Sequence, residues 1–126
     1  MAAWMWFLII ILGILIYFIG TYFYQKRYLT GLTQEEFIKG YRKAQLIDVR
    51  EQNEYENGHI LGARNIPLSQ LKMRINEIRK DKPVYLYDQG VSRSARAAQQ
   101  LYKHGCRDIY FLEGGFKKWS GKVKRK

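Results

Sequence analysis

Residues 84–98 read V-Y-L-Y-D-Q-G-V-S-R-S-A-R-A-A. An apolar strand pattern ends at Asp88, a short polar loop follows, and the chain restarts as an Ala-rich helical pattern. A strand, a Gly-containing loop and a helix in this order form an anion cradle. The helix begins with unpaired N–H groups and the positive end of its dipole, and the loop lets backbone amides turn toward one point in front of the strand. Asp88 stands at that point.

Outward from this unit, strand and helix patterns alternate. Downstream, a helix is expected over about residues 92–104 with Gly105 as its stop, and residues 109–112 read as the last strand. Gly114 and Gly115 turn the chain into a short helix holding Phe116 and Trp119. Upstream, residues 46–49 read as a buried strand, 51–57 as a helical turn ended by Gly58, and 64–66 as a short strand. Pro67 opens the next segment, and Leu71, Ile75 and Ile78 mark the apolar face of a helix running to about Lys80. Thr33 and Glu36 have capping-box spacing and start a helix through about Lys43, with Phe37, Ile38 and Tyr41 on one side. Tyr28 and Leu29 read as a short first strand, after which Gly31 turns the chain. The alternation predicts an α/β fold, a small parallel five-stranded sheet with helices on both faces. Asp48 and Arg50 are two apart, so both side chains leave the same face at the C-terminal end of their strand, where open sheets place their sites.

The loop resembles the active-site loop of the rhodanese domain, which normally reads Cys, four residues, Arg, Ser. Asp88 takes the place of the Cys; Gln89, Gly90, Val91 and Ser92 intervene; Arg93 and Ser94 follow. L-I-D-V-R-E from Leu46, then Glu54, Tyr55 and G-H-I-L-G-A-R-N-I-P from Gly58, resemble the family's first motif. L-E-G-G-F-K-K-W from Leu112 resembles its terminal one, so the likeness spans roughly residues 28–119 in three ordered motifs. It implies a rhodanese-like, sulfurtransferase-type fold in which residues 88–94 form an anion- or ligand-binding loop supported by Asp48, Arg50 and His59. It also implies altered chemistry. Such domains carry sulfur on the loop Cys as a persulfide, and a carboxylate cannot accept and release sulfur that way. The span from Asp88 to Arg93 keeps the six-residue loop of sulfur-handling members, one residue shorter than in related Cys-dependent phosphatases. Gly90 stands one place earlier than the Gly common in the family's loop.

Charge is distributed unevenly. All 22 Lys and Arg and all 11 Asp and Glu residues lie beyond Gln25, for a net charge of +11. A soluble part this basic favours an anionic neighbour, whether a membrane surface, a nucleic acid or an acidic protein. With 126 residues and 47% hydrophobic content, the chain has room for one domain and an accessory segment. The single Cys excludes an internal disulfide framework and fits a reducing compartment.

Residues 2–24 are apolar enough to cross a bilayer as a helix. Trp4 and Tyr24 would lie about 30 Å apart, with Trp4 and Trp6 at one interface and Tyr22 and Tyr24 at the other. A cleaved signal peptide would need a basic n-region, a shorter apolar core and a small-residue cleavage site, and the run has none of these. The expected organisation is a transmembrane signal anchor over 1–25 and a rhodanese-like domain with a basic C-terminal tail over 26–126. Lys26 and Arg27 follow the span directly, so the positive-inside tendency predicts a single-pass protein of the cell membrane with its C-terminal domain in the cytoplasm. Gly13 and Gly20 read as isolated glycines of a membrane helix.

Individual residues refine the expectation. Asp88 reads as filling its own anion nest, for about 0.3–1 kcal/mol from the helix dipole; the alternatives are a base, a nucleophile or a ligand. An aspartyl-phosphate mechanism would want further acidic groups or a Lys nearby, and the loop offers none. Arg93 is read as either binding an anionic ligand or pairing with Asp88, Asp48 or a carbonyl. His59 reads as a strut at a turn, and Cys106 as core packing. His104 and Cys106 lack further ligands at metal-binding spacing, so no metal and no cofactor are expected. The tail residues Lys117, Lys118, Lys122, Lys124, Arg125 and Lys126 are candidates for attraction to anionic headgroups. The aromatics fall at core-like periodicities, which argues against nucleic acid. The expected function is a membrane-anchored, catalytically degenerate rhodanese-like module that binds or regulates an unidentified cytoplasmic or membrane protein. The alternatives are a sulfurtransferase or hydrolase working through Asp88 or a partner's thiol, and a structural membrane tether.

Overall fold

The computed structural model describes residues 2–26 and 30–125. Helix α1, Ala3–Lys26, contains a 21-residue stretch, Ala3–Phe23, long and apolar enough to cross a membrane. Its described side chains are exposed or half-exposed, in contrast to the packed elements that follow.

Strand β1, Thr30–Leu32, leads to helix α2, Gln34–Gly40, and a 3₁₀ turn, Tyr41–Lys43. The expected strand at Tyr28 and Leu29 lies outside the described residues. Gly31 does not turn the chain; it sits inside β1, paired opposite Phe111, where a Cβ would lie 2.8 Å from a Glu113 carboxylate oxygen. Thr33 and Glu36 form the capping box reciprocally, with Glu36 N–H donating to the Thr33 hydroxyl at 3.3 Å and Thr33 N–H to Glu36 Oε1 at 3.1 Å. Phe37 and Tyr41 are buried as expected, but Ile38 is turned outward.

Strand β2, Gln45–Asp48, is followed by helix α3, Gln52–Glu56, and two short strands, β3, His59–Ile60, and β4, Arg64–Asn65. The helix expected to run through Leu71, Ile75 and Ile78 to about Lys80 is broken into a 3₁₀ turn, Leu68–Gln70, helix α4, Leu71–Arg74, and a second 3₁₀ turn, Ile75–Glu77. The Gln45 side chain explains where it stops. Its oxygen accepts from Arg79 N–H at 2.7 Å and its amide donates to the Arg79 carbonyl at 2.8 Å, drawing that segment out of helical geometry. Strand β5, Val84–Tyr87, helix α5, Ser92–His104, and strand β6, Ile109–Leu112, follow as predicted, and Gly105 ends α5 in the left-handed conformation. A 3₁₀ turn, Phe116–Lys118, precedes strand β7, Val123–Lys124.

Five strands form one parallel sheet in the order β1-β6-β5-β2-β4, and β5 is its centre. Side chains alternate across it. Ile47, Val84 and Leu86 join Ala97, Ala98 and Leu101 of α5 on one face, while Leu46, Tyr87 and Leu112 join Phe37, Tyr41 and Ile60 on the other. Helices therefore cover both faces, as the spacing predicts. The basic tail is not a free end throughout: β7 pairs antiparallel with β3, His59 opposite Lys124 and Ile60 opposite Val123.

Candidate functional site

Asp88 follows the last residue of β5 and is 2% exposed. Alternation sends it toward the α5 side of the sheet, and the first turn of that helix closes on it. Arg93 N–H donates to Asp88 Oδ2 at 3.2 Å, and the Ser94 hydroxyl donates to Oδ1 at 2.6 Å. The carboxylate thus sits at the positive end of α5 with a donor on each oxygen. Gln89, Gly90, Val91 and Ser92 are exposed around this buried charge.

The loop backbone rests on the turn after β6. Phe116 N–H donates to the Asp88 carbonyl at 2.8 Å and Lys117 N–H to the Gln89 carbonyl at 3.3 Å. Gly115, at φ +66°, lets this approach occur, because a Cβ there would lie 2.5 Å from both the Gln89 and Gly90 carbonyl oxygens.

Asp48 and Arg50 build the neighbouring strut. Arg50 Nη2 donates to Asp48 Oδ2 at 2.7 Å, Arg50 Nε to Oδ1 at 3.0 Å, and Nη2 also reaches the Gly58 carbonyl at 2.7 Å. Both residues are buried, and the Arg50 guanidinium lies 4.4 Å from the centre of the Phe116 ring. Burial alone would lower the Arg50 pKa; the Asp48 hydrogen bond and charge outweigh it and leave it raised. The remaining donor, Nη1, reaches Gln89 Oε1 at 3.3 Å, which ties the strut to the loop. Tyr87 lies beneath, its hydroxyl accepting from Ile60 N–H at 3.0 Å. Burial, reinforced by Asp48, holds its phenol far above the usual range and keeps it protonated.

Arg93 pairs with Glu54, Nη1 to Oε1 at 2.8 Å, rather than with Asp88 or Asp48. The guanidinium, carried on the outer side of α5, meets α3 while only its backbone N–H serves Asp88. The pair holds Glu54 below the usual carboxylate range and Arg93 above its own. His59 sets its Nδ1 2.8 Å from the Tyr55 carbonyl and stacks its ring on Tyr55 at 3.7 Å. Cys106 is buried in the core at the far end of α5, and burial pushes its thiol up.

A family model for the rhodanese-like domain matches residues 33–122. This chain belongs to the rhodanese-like domain family. It is 68% identical over 119 residues to the protein YqhL of Bacillus subtilis (strain 168), covering 94% of each chain. Over 79 residues it is 39% identical to thiosulfate sulfurtransferase GlpE of Shewanella oneidensis, which is 62% of this chain and 77% of GlpE. Among solved structures, a rhodanese-related protein from Thermoplasma volcanium superposes with a TM-score of 0.71 at 26% identity, over 77% of this chain and 99% of that one.

Sequence reasoning about this rhodanese-like domain missed three parts of the site: the Glu54 partner, the Phe116 ring under Arg50, and the Gly115 contact. All three stand in the motifs already quoted, but nothing local assigns their roles. Glu54 and Arg93 are 39 residues apart and meet only when α3 packs beside α5.

Proposed function

We propose that this rhodanese-like domain is a membrane-anchored, cytoplasm-facing module that binds or regulates another protein and no longer transfers sulfur through its loop. The observation that carries this reading is the state of Asp88. In the reading, Asp88 stands where sulfur-transferring relatives place Cys, and it is buried with each oxygen holding a hydrogen-bond donor from α5. A second anion is disfavoured where a carboxylate already occupies the cradle. The exposed residues 89–92 remain as a contact surface.

Cys106 is a poor substitute for a loop thiol. It sits in the core past the far end of α5, and a helix of 13 residues separates its ends by about 18 Å. The apolar stretch of α1 supports the anchor, and Lys26 and Arg27 shortly after it favour a cytoplasmic domain. The test has two arms on the full chain. Thiocyanate formation from thiosulfate and cyanide is expected to stay at background; formation that vanishes in Cys106→Ala would overturn the reading. A photo-crosslinker in place of Val91 is expected to capture one discrete protein in intact cells, and capture of nothing above a crosslinker in place of Met73 would favour a plain tether.

A further inference from the structure

The parallel sheet gathers exposed basic residues at one of its ends. The segments that lead into β2, β5 and β6 carry exposed Lys39, Arg42, Lys43, Lys80, Lys82 and Arg107. The carboxylates in these segments are Asp81 and Asp108, and Asp81 is held by Arg79 at 2.6 Å. Gln45 ties this edge together through Arg79 and the Pro83 carbonyl, and Val84 N–H donates to the Asp108 carbonyl at 2.8 Å. At the opposite edge, where the strands end, exposed Glu35 and Glu36 follow β1, Glu51 follows β2 and Glu113 follows β6, with exposed Lys117 and Lys118 beside them.

Topology decides which edge the anchor holds. Helix α1 ends at Lys26 and β1 begins at Thr30, so four residue steps, about 14 Å at full extension, join them. Because β1 runs parallel to the other four strands, its start lies on the basic edge. Asp88 lies beyond the end of β5, about 13 Å from where that strand starts.

We propose that the strand-start edge is a membrane-docking face for anionic lipid headgroups, which holds the Asp88 loop pointing away from the bilayer. This rests on the membrane-anchored reading. Within about a Debye length of an anionic leaflet the basic edge is attracted more strongly than the site edge, where Lys117 and Lys118 offset the glutamates, so the basic edge turns to the bilayer. Lys124 and Arg125 of the tail contribute little, since β7 pairs with β3 and runs back toward Gly58 and the site edge. Headgroup attraction, expected at the C-terminal tail from sequence, then falls on residues scattered over 39–107, in α2, the 3₁₀ turn after it and the loops before β5 and β6.

The experiment reconstitutes the full chain in vesicles of phosphatidylcholine alone or with about one third phosphatidylglycerol. Lysine acetylation is then followed by mass spectrometry, with Lys117 and Lys118 of the site edge as internal reference. In anionic vesicles Lys39, Lys43, Lys80 and Lys82 should react about threefold more slowly, the effect should vanish at high salt, and Lys117 and Lys118 should be unchanged. In Arg42→Gln/Lys43→Gln/Lys82→Gln, Lys39 and Lys80 should lose the lipid dependence. Equal reactivity in both lipids, or protection at Lys117 and Lys118 instead, overturns the docking face. Release of the chain from the vesicles by alkaline carbonate overturns the anchor itself, so the two failures are told apart.

Discussion

The Ser94 hydroxyl donates to Asp88 Oδ1 at 2.6 Å, with the two residues 0% and 2% exposed. This bond fastens the first turn of α5 to the end of the central strand and neutralises part of the cost of a buried carboxylate.

Ser94→Ala should therefore destabilise the domain by about 1–3 kcal/mol, because it leaves a buried charged oxygen short of a donor. Urea unfolding of the full chain in detergent checks this. Combining Ser94→Ala with Asp88→Ala should cost less than the sum of the two, since the second change removes the orphaned charge.

Gly115 has φ +66° and ψ −172°, a combination that is nearly Gly-only, and it faces the Gln89 and Gly90 carbonyls. Gly115→Ala should cost about 1–3 kcal/mol for the backbone alone and displace the loop as well. The checking measurement is amide chemical shifts: those of residues 89–92 should move more than those of β1 or α2.

The Glu54–Arg93 pair predicts an acid-side pH dependence. Glu54 titrates lower when folded than when unfolded, so the pair contributes fully above the unfolded value and its contribution is lost as pH falls through the lowered folded value. Arg93 is 37% and Glu54 31% exposed, so solvent screening limits the effect to about 1 kcal/mol or less. In Glu54→Gln, thermal melts at neutral pH should fall slightly and those at the acid end should match wild type.

The parts of this fold that were legible were those fixed by neighbours in sequence. The run at residues 84–87, the Ala-rich pattern and the stop at Gly105 place β5 and α5, and Thr33 with Glu36 places the start of α2. Long-range partners were not legible. Gln45 ends the segment near Arg79 from 34 residues away, and the two-residue strands β3 and β7 exist only because each supplies the other's hydrogen bonds. At the site, the helix dipole placed Asp88 as a self-filled nest, whereas the direction in which Arg93 leaves α5 depends on packing that spacing does not encode.

The central proposal is that the loop from Asp88 to Arg93 keeps the geometry of a sulfur-handling loop around a centre that does not hold sulfur. The Arg93 N–H and Ser94 hydroxyl that now serve a carboxylate would equally favour a thiolate at the same position. The direct measurement is intact mass after incubation with thiosulfate, for the full-length wild type beside Asp88→Cys in a Cys106→Ala background. The account predicts no added sulfur on wild type and one sulfur atom on the variant. Sulfur on the wild-type chain, or a folded Asp88→Cys variant that takes up none, would contradict it.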